Sequence, residues 1–183
     1  MARSLIVLLV PFCQSWQRAG AYTDTWIIKQ DFKSPDCVDK LVVTTNGMIP
    51  GPEIRVQPGE EIIVTVKNEM TSQVVNIHWH GMNHMNGTVW QDGASMISSC
   101  PIPPMSSWTY HFKANDRPGT FQYHGHIGGV RTGGLGGALI IEGDISDYAA
   151  EADGGDIVVV MTDWYHAMAD ELVVDLLQPQ FRW

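Results

Sequence analysis

Read for the alternation of apolar and polar positions, the chain from about Trp26 to Ile141 breaks into short runs, none with a helical period. Eight stand out: TWIIKQDF, KLVVTTNG, EIRVQPG, EEIIVTVKN, VVNIHWH, SWTYHFK, GTFQYH and GGALIIEG. In EIIVTVKN the positions Ile62, Val64 and Val66 repeat every second residue, the mark of a strand with one buried face. The breaks fall at Asn46-Gly47, Pro50-Gly51-Pro52, Pro58-Gly59 and Pro118-Gly119, all of them turn chemistry. Together these runs predict an all-β unit, an antiparallel β-sandwich or a small barrel.

Beyond Ile141 the pattern changes. The acidic, Gly-containing stretch around residues 144–156 reads as an interdomain linker. DIVVVMTDW then predicts a strand, and ADELVVDLL is compatible with a helix. Residues 157–183 are too few to bury a core of their own, and an unpaired strand there would leave a sticky edge. The expectation is therefore the start of a second, truncated domain. The alternative is a segment folded back on the first sandwich as an extra strand.

At the other end, MARSLIVLLVPFC joins an early Arg to a short apolar run, and Ala19-Gly20-Ala21 offers small residues before Tyr22. This predicts a signal peptide over residues 1–21 and a secreted, extracellular product; a buried first strand is the other reading. The run is too short to span a bilayer, and no later segment is apolar enough, so no membrane partner is expected. The chain has 183 residues, room for one core and the start of another. Its formal net charge of -9, without a Lys/Arg-rich run, excludes the usual phosphate footprint of a nucleic-acid binder. Cys13 leaves with the signal, so the mature chain keeps Cys37 and Cys100, which in an oxidising compartment suggests disulfide use. A bond between these two requires Cα atoms within about 7 Å. Asn86-Gly87-Thr88 is an N-glycosylation sequon and implies an exposed loop.

The chemistry lies in the histidines. Four of the seven form two pairs, His78-Trp79-His80 and His124-Gly125-His126, each at the end of a strand-like run. Residues two apart on a strand point the same way, roughly 6.5 Å apart. With metal–nitrogen bonds of about 2 Å, such a pair can share one ion or serve two neighbouring ions. Imidazole alone does not choose between copper, zinc, iron and nickel. A lone pair is more simply two satisfied strand histidines; two pairs, each followed by Gly-rich sequence, favour metal. Cupins also carry His-x-His but want a nearby Glu, and no Glu lies between Met70 and Glu142. Zinc amidohydrolases place theirs on a (β/α)₈ barrel too long for this chain.

These residues carry a resemblance. HWHG at His78–Gly81, WQDG at Trp90–Gly93, SSCPIPP at Ser98–Pro104 and GTFQYHGHIGGVRTGGLGGALII at Gly119–Ile141 resemble the first domain of ascorbate oxidases and laccases, the multicopper oxidase family. PDC at Pro35–Cys37, NGMIPGP at Asn46–Pro52 and DWYH at Asp163–His166 are similar to further stretches of it. The resemblance implies a cupredoxin-like Greek-key β-sandwich over residues 22–143, followed by an incomplete second cupredoxin domain. It implies copper, with His78 on the type 2 ion and His80, His124 and His126 on the type 3 pair. Downstream cupredoxin domains supply the remaining cluster ligands and the type 1 copper with its His-Cys-His motif. The partners it implies are dioxygen and a small reducing substrate such as a phenol or ascorbate. No Cys stands between two histidines here, so the chain holds half of the cluster and no type 1 site. On its own it is expected to be inactive. A residue placed like Cys37 bonds the second domain in ascorbate oxidases, and one placed like Cys100 bonds the last.

Asp92 matches a family acid near the type 2 copper that can relay protons; as an Asp-Gly dipeptide it equally suits a turn. His111 and His166 read as structural, and His84, in a loop beside the sequon, as solvated. Met82, Met85, Met96 and Met105 read as loop or core packing rather than a Cu(I) relay. The Gly-rich run Gly128–Gly137 lacks both the dinucleotide fingerprint and a P-loop Lys. The alternative function is a standalone secreted copper-binding cupredoxin-like module without catalysis.

Overall fold

The computed structural model describes residues 20–143 and 157–180. Eight strands form where the alternation places them: β1 (Ala21–Lys33), β2 (Lys40–Thr45), β3 (Ile54–Val56), β4 (Glu61–Asn68), β5 (Ile77–His80), β6 (Ser107–Lys113), β7 (Gly119–Gly125) and β8 (Gly136–Ile141). A short 3₁₀ turn, Val89–Gln91, lies between β5 and β6. One sheet runs β2-β1-β4-β6 and the other β3-β8-β7-β5. These are the two layers of a sandwich, and the chain passes between them five times.

The expectation of an antiparallel sandwich needs correction. β1 pairs with β4 in parallel, and so does β3 with β8, while the other four pairings are antiparallel. A period of two residues says which face a side chain takes, but not which strand lies alongside or in which direction.

The core sits between the sheets. Trp26 and Ile28 from β1, Ile62, Val64 and Val66 from β4, and Tyr110 and Phe112 from β6 meet Ile54, Ile77, Trp79, Tyr123 and Leu139 of the other sheet. Each of these large side chains contributes about 1.5–3 kcal/mol by leaving water. Trp79 lies within 6.0 Å, ring centroid to centroid, of Trp26, Tyr110, Phe112 and Tyr123. The side chain between the two histidines of β5 is thus an anchor, and it turns His78 and His80 to the opposite face. Tyr110 donates its hydroxyl to Asn76 Oδ1 (2.7 Å) and accepts the Ile77 N–H (3.0 Å), which ties β6 to the start of β5.

The strand expected in DIVVVMTDW does not form. Residues 157–164 are irregular, and the helix-compatible stretch becomes α1 (Ala169–Leu176). A strand needs a neighbour to satisfy its N–H and C=O groups, and no described strand pairs with this one. The segment lies against the sandwich without joining a sheet. His166 Nε2 is 2.7 Å from Asp36 Oδ2, Gln73 bonds Asp170, and the Trp164 ring covers Lys40 Nζ at 4.7 Å. The linker assigned to 144–156 lies outside the described residues, as do residues 1–19 of the signal segment; β1 begins at Ala21.

Candidate metal centre

β5 and β7 are antiparallel neighbours in a register that sets His78 directly opposite His124. His80 follows two residues along β5, and His126 follows one residue past the end of β7, its N–H bonded to Asn76 O at 3.2 Å. Both pairs therefore meet at one end of the β3-β8-β7-β5 sheet. Around His78 the ring centroids of His80, His124 and His126 lie 5.4, 5.2 and 5.1 Å away. His78, His80 and His124 each turn a nitrogen into a space where these atoms lie within 4.8 Å of one another. His126 is exposed, with its ring stacked 5.9 Å from that of His124.

The ring nitrogens are not equivalent. His78 Nδ1 is 2.9 Å from Asp92 O, an acceptor only, so Nδ1 carries the proton and Nε2 is left as a lone pair. His124 Nδ1 is 2.9 Å from Gly125 O and is fixed in the same way. His80 Nδ1 and His124 Nε2 stand 3.4 Å apart. Two nitrogens at that separation, each about 2 Å from an ion, subtend an angle of about 115° at it. Burial, with smaller effects of the Arg131 charge and the neighbouring imidazoles, holds His124 down at about 4 against the opposing pull of the Gly125 carbonyl. Its ring is neutral at physiological pH, which is the ligand form.

Two glycines permit this construction. Asp92-Gly93 follows the 3₁₀ turn, and Gly93 has φ 72. A Cβ there would lie 1.7 Å from Ile77 O, so the turn rests directly on the β5 backbone. Gly125, between the second pair of ligands, has no room for a Cβ, which would meet Val130 Cγ2 at 2.5 Å. Close packing of the Gly-rich turn behind β7 depends on that gap.

Asp92 is both turn and neighbour. Its backbone carbonyl holds His78, and its carboxylate Oδ1 is 3.3 Å from His78 Nδ1 and 3.3 Å from His84 Nε2. His84 corrects the sequence reading: it is buried rather than solvated, at 5% exposure, with its ring 4.9 Å from Phe112. Its neighbours in MNHMNG read as loop, and nothing in them signals that Phe112 forms a pocket beneath. His111 stays at the surface, 3.5 Å from Glu61 Oε2. Met82 packs in the core, whereas Met85, Met96 and Met105 are exposed. Cys37 and Cys100 are both exposed and not bonded to each other, and Asn86 of the sequon is exposed on its turn.

The all-imidazole donor set, two members with fixed tautomers, fits copper or zinc. No cysteine belongs to the group, so among the described residues it lacks the thiolate of a blue site.

A family profile described as multicopper oxidase matches residues 27–145. L-ascorbate oxidase of Cucurbita maxima is 37% identical over 158 residues, covering 86% of this chain and 27% of that protein. Laccase-1 of Cryptococcus neoformans is 36% identical over 157 residues, 85% of this chain and 25% of its own length. Among solved structures, that of Fet3p, a multicopper oxidase that functions in iron import, aligns at a TM-score of 0.65 and 32% identity. It covers 70% of this chain and 24% of its own. The chain thus spans about a quarter of the length of the curated relatives it matches. The two-sheet sandwich is the cupredoxin-like unit of these enzymes, and the chain belongs to the multicopper oxidase family.

Proposed function

We propose that this chain is the N-terminal part of a secreted multicopper oxidase and supplies half of the ligands of its trinuclear copper site. The observation that carries the reading is the convergence of two His-x-His pairs, with His80 Nδ1 and His124 Nε2 only 3.4 Å apart. That spacing supports His80 and His124 as ligands of one type 3 ion, His126 as a ligand of the other, and His78 as the type 2 ligand. When bound there, copper supplies the one-electron redox chemistry that couples oxidation of a phenol, ascorbate or similar reductant to reduction of dioxygen to water. The names of the relatives, ascorbate oxidase and laccase, support that substrate range.

The chain's own residues do the holding. Asp92 O keeps His78 Nδ1 protonated, so that Nε2 points to the ion; Gly125 O does the same for His124. The Asp92 carboxylate, beside His78 and partly open to water, is placed to hold and pass a proton near the oxygen site. Downstream cupredoxin domains complete the ligand set and bring the type 1 copper. In this reading residues 1–21 are a signal peptide, 22–143 the first cupredoxin domain, 144–156 a linker and 157–183 the start of the second. Exposed Cys37 and Cys100 are then free to bond those domains, and Asn86 to carry a glycan.

A second reading has its own support. Three imidazole nitrogens within 4.8 Å in one chain are enough to hold an ion without a partner domain. A standalone copper-binding module would use them so. Sequencing of the full transcript and metal analysis of purified chain separate the two. The oxidase reading expects two more His-x-His motifs downstream, one of them His-Cys-His, and no oxidase activity from this chain alone. A stop codon directly after Trp183, with tight stoichiometric copper in a stable monomer, would favour the binding module.

A further inference from the structure

His84 is unusual in three respects at once. It is 5% exposed, its backbone is held at φ 44, and neither ring nitrogen has a hydrogen-bond partner besides the charge contact of Nε2 with Asp92 Oδ1 at 3.3 Å. Burying an imidazole without hydrogen bonds is costly, and a left-handed backbone at a non-Gly residue adds to that cost. A phenylalanine or methionine would fill the space against Phe112 without the first cost. Packing therefore does not explain an imidazole here.

What the ring faces does. Its Nε2 lies 3.3 Å from Asp92 Oδ1, and the same oxygen lies 3.3 Å from His78 Nδ1. One carboxylate oxygen thus stands between two imidazoles. Burial disfavours the charged ring and lowers its pKa, and the neutral ring carries a single N–H. A carboxylate accepts and cannot donate, which puts that proton on Nε2. The Asp92 side chain is 26% exposed, so one side of it faces water. His84 approaches it from the protein side.

We propose that His84 is a positioning residue, whose Nε2–H holds Asp92 Oδ1 against His78 and so fixes the ring that presents Nε2 to the metal. The His78 Nδ1 proton then lies between two acceptors of the same residue, the Asp92 carbonyl at 2.9 Å and its carboxylate at 3.3 Å. Outer acceptors of this kind set a ligand's tautomer and raise its basicity. The proposal rests on His78 being a metal ligand.

The test uses the full chain and two variants. His84→Gln keeps an amide donor, and His84→Phe keeps the ring volume against Phe112 but removes the N–H. In metal-free protein, long-range proton–nitrogen NMR of the histidine rings is expected to find His84 as the Nε2–H tautomer and His78 as the Nδ1–H tautomer. In His84→Phe the His78 Nδ1–H is expected to exchange faster with water and its tautomer to become mixed, with His84→Gln close to wild type. Titrated with Cu(II), His84→Phe is expected to bind about tenfold more weakly, and His84→Gln to recover most of the loss. A wild-type His84 protonated on Nδ1 would overturn the proposal even if no variant folds. So would a folded His84→Phe with an unchanged His78 signal. If the NMR arrangement is found but wild-type chain binds no copper, the metal reading fails and the positioning contact stands.

Discussion

Gly93→Ala is the sharpest probe of how the histidine pair is held. The substitution does two separable things. An alanine at φ 72 carries the left-handed penalty, about 1–2 kcal/mol. Its Cβ would also lie 1.7 Å from Ile77 O and 2.5 Å from Ile77 C, an overlap with backbone that no side-chain rotation relieves. The Asp92-Gly93 turn has to lift away from β5. That movement breaks the two contacts made by the Asp92 carbonyl, with His78 Nδ1 at 2.9 Å and with the Trp79 N–H at 3.4 Å. At about 1 kcal/mol each, the total is about 3–4 kcal/mol. Gly47→Ala is the control, because Gly47 has φ 75 and nothing within 4 Å of the added carbon. It should cost only the backbone term, about 1–2 kcal/mol. Urea unfolding followed by fluorescence of the buried tryptophans measures both. Equal destabilisation of the two variants would refute the packing of the turn on β5, and with it the fixed orientation of His78.

In metal-free chain, folding holds His124 at about 4, below the ordinary histidine value of about 6.5. The unfolded chain therefore binds more protons between those values, and stability falls as pH drops from about 6.5 through 4, by on the order of 3 kcal/mol. His124→Gln should flatten that part of the profile, and an unchanged slope would contradict the burial of the ring. Tyr110→Phe leaves the Ile77 N–H and Asn76 Oδ1 without their partner and should cost about 1–3 kcal/mol in urea unfolding; a neutral result would mean water replaces the hydroxyl. Trp164→Ala should expose the buried Lys40 amine to an acylating reagent, and mass spectrometry showing no increase in labelling would mean that the ring does not cover it.

Much of this architecture is legible in the sequence, for reasons that differ by element. The eight strands fall within the eight β-rich runs of the sequence, several of them set off by Gly or Pro turns, and Ala169–Leu176 falls within the helix-compatible stretch. Strand neighbours were not legible: nothing in TWIIKQDF or EEIIVTVKN says that β1 and β4 lie parallel. DIVVVMTDW misled because an apolar run describes what a strand wants, not whether a partner exists. The histidine pairs were plain from spacing, but the register that sets His78 opposite His124 depends on how β5 meets β7. The burial of His84 is not legible in the sequence. Its ring packs on Phe112, 28 positions away in sequence, from a backbone at φ 44 that the sequence does not signal.

In the proposed function this chain contributes four imidazoles to a copper site that other domains complete. Copper content and electron paramagnetic resonance of dialysed chain, wild type beside the His80→Ala/His124→Ala double variant, decide whether it does. The wild type is expected to hold less than stoichiometric copper, with nitrogen ligation, no blue thiolate band and no oxygen consumption, and the double variant to lose that copper. Copper retained unchanged after both imidazoles are removed would contradict it.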